Sequence, residues 1–265
     1  MITAIIQARM GSRRLPGKVL KDICGYPMLW HVVNRVRHAK KLDQVMVATS
    51  QNVSDEPVLS FCKQEGITCF RGSENDVLDR FYQAARFSGA DVIVRITADC
   101  PLVDPIVIDR VVNTYLNSEC DYASNSIKRT YPDGLDVEVF SFEALEQAWR
   151  KANLMSEREH VTPYIWKNNQ IYKISQNTQE KNLSFLRWTV DEAEDLELVR
   201  DIYSSLFQEG EVFLAEDIIN LLKQRSRDLS KFYHQPTKIN EGYWRSLQED
   251  RTVSLPVENN DAGGV

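Results

Sequence analysis

Short apolar, β-branched runs alternate with longer helical patterns across the first 118 residues, and this alternation constrains the fold more than any other feature of the chain. The runs TAIIQA, QVMVATS, ITCFR and DVIVRIT have the length of strands. Stretches with helical periodicity follow them at residues 28–38, 56–65, 77–88 and 106–117. Strand, helix and strand in this order require crossover connections, which build a mostly parallel sheet with helices on both faces. The expectation is a doubly wound α/β fold. Ligands of such sheets lie beyond the carboxyl ends of the strands, so the chemistry is sought in the loops at 9–18, 49–55, 72–76 and 97–105.

Beyond residue 120 the rhythm changes. CDYASN and LDVEVF read as strands, residues 141–152 and 157–168 as helices, and IYKISQN and LRWTV as further strands. This section is expected to add antiparallel strands to the same sheet. Ser141 places a hydroxyl ahead of Glu143, the pattern of a helix start. Residues 191–207 and 214–225 read as closing helices. One domain is therefore expected over 1–225, its first half ending near 118 and its second covering 119–225. An extension follows over 226–265, and its end, PVENNDAGGV, has the polar, Gly-rich composition of a disordered tail.

The net charge of −6 gives no overall positive field for a polyanion, so nucleic acid is not an expected partner. Small anionic substrates need only a pocket and remain open. Five cysteines, Cys24, Cys62, Cys69, Cys100 and Cys120, occur without a CxxC pair, a usage that fits reduced thiols better than a disulfide framework or a zinc site. The opening MITAIIQARM reads as a strand rather than a signal peptide. No apolar stretch approaches the roughly 20 residues that span a bilayer. A cytoplasmic protein without a membrane partner is expected.

The loop after the first run, QARMGSRRLPGKVL, carries Arg9, Arg13, Arg14 and Lys18 together with Gly11 and Gly17. Glycines let main-chain N–H groups face an anion, and the cations neutralise it, so the loop suits a polyphosphate. The plain alternative is a solvated basic loop. Neither GxxxxGK[ST] nor GxGxxG is present.

The longer stretch QARMGSRRLPGKVLKDICGYPMLWHVV, with its L-P-G-K and G-x-P-M elements, resembles the signature of the sugar cytidylyltransferases. Among these it is similar to the enzymes that activate octulosonate and the acylneuraminates with CMP, and most of all to the branch named after spore coat polysaccharide biosynthesis protein F. The resemblance runs over roughly the first 225 residues. It implies a Rossmann-like, GT-A-like nucleotidyltransferase domain, with the nucleotide held by the half up to 118 and the acceptor by the half after it. It further implies CTP and a sugar as substrates, Mg²⁺ as cofactor and a homodimer as a common state. Arg9, Gly11, Ser12, Arg13 and Lys18 match the positions that wrap a triphosphate, Lys18 being the first choice for the transition-state contact, while Gln7 and Ala8 would face the pyrimidine.

Two carboxylates complete the expected centre. Asp99, in RITADCPLVDP, stands at the tip of a parallel strand, where an aspartate either forms a turn or holds Mg²⁺; the family motif favours the metal. Asp191, in RWTVDEAEDLELV, reads as a helix cap, worth about 1 kcal/mol, and matches the family's other metal-binding aspartate. By the same resemblance Arg71, Gly72, Ser73 and Asp79 lie near the base and ribose, with Arg80 a neighbour. For Asp79 and Arg80 a charged helix face is the competing account. In YPDGLDVEVFS strand alternation places Asp136 and Glu138 on one face, within reach of an acceptor sugar. Arg158 or Arg187 could pair with an acidic acceptor, and His160 reads as a structural residue more readily than as a catalyst.

The expected activity is transfer of CMP from CTP to a sugar, with Arg13, Lys18 and Asp99 carrying the chemistry. A sugar-phosphate nucleotidyltransferase, a glycosyltransferase and a non-catalytic nucleotide-binding module are the alternatives on the same fold. The glycosyltransferase is disfavoured because Cys100 and Pro101 follow Asp99, where a D-x-D motif would be expected.

Overall fold

A computed structural model describes residues 1–226 and 241–253. At its centre β1 (Ile2–Gln7) pairs in parallel with β4 (Gln44–Ser50) on one side and β6 (Val92–Thr97) on the other. β5 (Thr68–Gly72) extends the sheet beyond β4. On the other flank the order continues through β8 (Glu138–Ser141), β7 (Tyr122–Ser124) and β9 (Ile174–Gln176), giving seven strands in the order β5-β4-β1-β6-β8-β7-β9. A two-stranded ribbon, β2 (Asp22–Ile23) with β3 (Tyr26–Pro27), lies in the connection after β1.

Both faces of the sheet are covered, as the near-continuous apolar strands demand. Alternate residues of β1 go to opposite sides: Ala4 and Ile6 join one core, Ile5 the other. The first core takes in residues of α1 (Met28–Arg37), α2 (Glu56–Gln64), α4 (Pro105–Ser118), α8 (Ala193–Leu206) and α9 (Ala215–Arg225). The second takes in residues of α3 (Val77–Ser88), α5 (Phe142–Lys151) and α7 (Pro163–Lys167). Each fully buried Val, Leu or Ile contributes about 1.5–3 kcal/mol. Helix starts follow the chemistry of their side chains: Ser141 accepts the Ala144 N–H at 3.0 Å, and Asp104 accepts that of Ile106 at 2.7 Å.

The second half corrects several expectations. Only β8 runs against its neighbours, since β7 is antiparallel to β8 and β9 is parallel to β7. The run LDVEVF becomes strand only from Glu138. Ahead of it the Asn125 side chain donates to the Leu135 carbonyl at 2.8 Å and accepts the Val137 N–H at 2.8 Å, substituting for a ladder partner. LRWTV is not a strand: its strand-like pairing is limited to the bridge of Arg187 with Asp133. The helix expected over 157–168 is two, α6 (Met155–His160) and α7. Pro163 supplies no N–H, and Val161 turns to φ 71° to allow the break. Of the extension, α10 (Glu241–Val253) packs on α6, while the segment PVENNDAGGV lies outside the described residues. No helix among the described residues is long and apolar enough to cross a membrane.

His31, on α1, is buried and donates from Nε2 to the Ile23 carbonyl at 2.7 Å. Burial, with Arg35 adding repulsion, outweighs that carbonyl and pulls the imidazole down to about 4. The unfolded chain thus takes up a proton that the folded chain refuses, and stability falls as the pH drops from about 6.5 toward 4. His31→Gln is expected to flatten this part of the urea-midpoint profile against pH, leaving the profile above pH 7 unchanged in slope.

Candidate active site

The basic loop leaves β1 under tight control. Met10 N–H donates to the Asp55 carboxylate at 2.7 Å, and the same carboxylate accepts from Ser50. The Met10 carbonyl then closes the loop on itself by accepting from Ser12 N–H at 2.9 Å and Gly17 N–H at 3.1 Å. Gly17 takes φ 69°, a left-handed conformation that favours glycine, and turns the chain into a short 3₁₀ segment, Lys18–Leu20. This drives the Lys18 side chain inward, although it bears a charge.

Its ammonium meets three oxygens: Asp99 Oδ2 at 2.8 Å, Asp191 Oδ1 at 2.9 Å and the Val190 carbonyl at 2.7 Å. Desolvation disfavours this charge, but the two carboxylates outweigh it and raise the Lys18 pKa above its ordinary value. For Asp99 desolvation pushes upward, and the Lys18 ammonium prevails and holds the carboxyl down to about 2. The Val190 N–H also donates to the Asp99 carbonyl at 2.8 Å, so backbone and side chains lock the two aspartates together.

Asp191 is the meeting point of several cations. Besides Lys18 it accepts Arg187 at 2.6 Å, and Arg14 lies 3.1 Å away. It is not the cap of the following helix. Asp195, one turn into the element, reaches back to the N–H groups of Asp191 and Glu192 at 2.8 and 2.9 Å and pairs with Arg187 at 2.6 Å. The extended 186–190 segment is fixed from behind by Gly134. At φ 107° it passes so close that an added Cβ would lie 2.8 Å from the Trp188 carbonyl carbon.

The other expected site residues fall into distinct places. Gln7, Ala8 and Arg9 at the end of β1, Val77 and Arg80 of α3, and Glu159 and His160 of α6 line a cavity of about 210 Å³. The Gln7 carbonyl accepts the Ala98 N–H at 3.0 Å, which puts this cavity beside the strand end that carries Asp99. Gly11 and Arg13 are exposed, and Ser12 accepts the Leu15 N–H at 3.3 Å. Arg71 donates to the Ser50 carbonyl at 3.0 Å, Gly72 ends β5, and the Ser73 carbonyl accepts from Arg80 at 2.6 Å. Asp79 accepts Trp149 Nε1 at 2.8 Å, a structural contact.

On the acceptor side, Asp136 is gripped by both terminal nitrogens of Arg129 at 2.8 and 2.7 Å. Burial, reinforced by Asp136, pushes the nearby Asp133 carboxyl up against the pull of Arg129 and Arg187. Glu138 does not share a strand face with Asp136. It is buried and accepts Tyr122 Oη at 2.7 Å, with Thr162 and Arg95 as further donors. Arg158 pairs with Asp76 and donates to the Trp149 carbonyl at 2.7 Å, holding α6 over the start of α3. Sequence reasoning passed over Asp55 and Asp195 and ranked Arg14 below Arg13. A carboxylate five residues past a strand, and another four past Asp191, were the only available signals.

The donor set fits a divalent cation. Two carboxylates already enclose a positive charge, and hard cations such as Mg²⁺ take a few carboxylates with phosphate oxygens and water. Among the described residues no cluster of three or more ligating side chains occurs, so the remaining ligands would come from substrate and solvent.

A parallel sheet with a glycine-bearing cationic loop at its central strand, facing paired aspartates, defines a nucleotidyltransferase. The model of the cytidylyltransferase family matches residues 3–231. SpsF of Bacillus subtilis, a spore coat polysaccharide biosynthesis protein, is 34% identical over 84% of this chain and 94% of its own. The chain belongs to the cytidylyltransferase family. A solved cytidylyltransferase of Leptospira borgpetersenii superposes with a TM-score of 0.81 at 32% identity, covering 88% of this chain and 97% of that one. The CMP-2-keto-3-deoxy-manno-octonic acid synthetase solved with CTP shares the fold, with a TM-score of 0.57 at 20% identity over 77% of this chain and 98% of that one.

Gly134→Ala is expected to cost more than about 2 kcal/mol, because a strained backbone alone costs about 1–3 kcal/mol and the methyl group meets backbone atoms that cannot swing aside. Urea titration checks this. A midpoint equal to that of the parent would refute the close approach.

Proposed function

We propose that the protein transfers CMP from CTP to a sugar acceptor of a surface polysaccharide pathway and releases pyrophosphate. The observation that supports this most is the Lys18 ammonium seated between Asp99 and Asp191, at the strand ends where the fold places its ligands. In this reading the pyrimidine lies against Gln7 and Ala8, with Arg71, Gly72 and Ser73 beyond it. Arg9, Ser12, Arg13 and the Gly11 backbone hold the triphosphate. The acceptor hydroxyl attacks the α-phosphorus and gives up its proton to solvent, the bond from that phosphorus to the bridging oxygen breaks, and pyrophosphate departs with the negative charge.

Lys18 and Arg13 are the cations that neutralise that charge as it develops, Lys18 exchanging one of its three oxygen partners for a phosphate oxygen. Asp99 and Asp191 would hold Mg²⁺, which when bound supplies further positive charge at the phosphate oxygens. Asp136 is the acceptor-side carboxylate. Glu138 and Arg158 act there through the elements they fasten: Glu138 joins β8 to Tyr122 and Thr162, and Arg158 joins α6 to Asp76. The compartment assigned is the cytoplasm.

Lys18→Met keeps the aliphatic stem and removes the charge. Pyrophosphate release from CTP in the presence of a panel of acidic sugars is expected to fall on the order of a hundredfold or more, with the circular dichroism spectrum retained. Near-normal release from this variant would overturn the assignment.

A further inference from the structure

The family match ends at residue 231, yet α10, which begins at Glu241, packs on α6. Three of its residues help to seat it. Asp250 accepts the Ser156 N–H at 3.1 Å. The Tyr243 ring meets His160 edge-on at 5.3 Å and tilts against Trp166 at 5.9 Å. Ser246, which is 1% exposed, lies between the last two residues of α6 that line the cavity, 2.7 Å from Glu159 Oε2 and 3.0 Å from His160 Nε2.

A serine hydroxyl has one proton to give. Donated to Glu159, which can only accept when ionised, it leaves the serine oxygen to accept, so His160 must carry its proton on Nε2. The hydroxyl therefore sets the orientation of a carboxylate and an imidazole together. Both line the cavity that Arg9 and Arg80 also line.

We propose that α10 is a working part of the nucleotide pocket, and that Ser246 is a positioning residue which holds Glu159 and His160 against the nucleoside portion of the bound nucleotide. This rests on the nucleotide reading of the site given above. A carboxylate repels a triphosphate, so this wall suits the hydroxyl and amino groups of a nucleoside, while the cations of the β1 loop face the phosphates. The extension thereby contributes to nucleotide affinity from outside the residues that the family model matches.

The test compares binding of CTP and of inorganic tripolyphosphate to the full chain by calorimetry with Mg²⁺ present, for the parent, Ser246→Ala and Ser246→Thr. Loss of one hydrogen bond's worth of positioning predicts that Ser246→Ala weakens CTP about fivefold, leaves tripolyphosphate unchanged, and raises KM for CTP while kcat holds. The threonine, which keeps a hydroxyl, should recover most of the loss. Should the alanine variant fail to fold, Glu159→Gln carries the same comparison and should weaken CTP without weakening tripolyphosphate. Unchanged CTP binding overturns the inference, as does an equal loss for both ligands, which would indicate general loosening. A parent protein that binds no CTP overturns both this inference and the reading beneath it, whereas a binding parent with an indifferent Ser246→Ala overturns this inference alone.

Discussion

The site depends on one ammonium group enclosed by oxygens from widely separated parts of the chain. Lys18 stands on the loop after β1, Asp99 follows β6, and Val190 and Asp191 precede α8. Charge-assisted hydrogen bonds are worth about 1.5–3 kcal/mol each. The aspartates keep 30% and 22% of their side-chain surface accessible, so solvent screens part of that gain. The arrangement is better understood as a preorganised charge cluster than as a stability device. Arg187 and Arg14 then balance Asp191, and Asp195 in turn balances Arg187. Removing any one member leaves a neighbour under-compensated, which is why the cluster acts as a unit.

The first half of the fold was legible because parallel strands buried on both faces must be apolar throughout, and crossover helices leave a periodic trace. TAIIQA and DVIVRIT needed no tertiary information. The second half was less legible for local reasons. LRWTV has the composition of a strand, yet its partners are a single bridge at Asp133 and the carbonyl of Asp99. LDVEVF loses its first three residues from the strand because a side chain, Asn125, takes the ladder bonds. Apolar patterning reports burial in both cases and says nothing about which backbone supplies the hydrogen bonds.

Much the same divides the site. Lys18, Asp99 and Asp191 could be paired from the sequence because motif resemblance linked positions that spacing alone leaves far apart. Asp55 gave only a faint trace, a carboxylate at the end of the 49–55 loop: its role is to anchor Met10 from that neighbouring loop. Asp191 looked like a cap because it precedes a helix, whereas the bond is made from Asp195 backward. Glu138 alternates correctly with its neighbours, but its carboxylate is drawn into the sheet by Tyr122, Thr162 and Arg95. Each of these depends on which long-range neighbour reaches a given oxygen first, a matter of packing.

The position of β1 carries a consequence for how the molecule is made. It is an interior strand of the sheet, and both of its partners lie later in the chain, beginning at residues 44 and 92. On a ribosome adding about 5–20 residues per second, it waits several seconds for its second neighbour and longer for the residue at 191 that completes the charge cluster. Of the contacts that fix the basic loop, its own turn at Met10 and the Asp55 anchor come from earlier residues than Asp191. The two acids that enclose the Lys18 ammonium are thus made well after the loop that carries it, Asp99 first and Asp191 last.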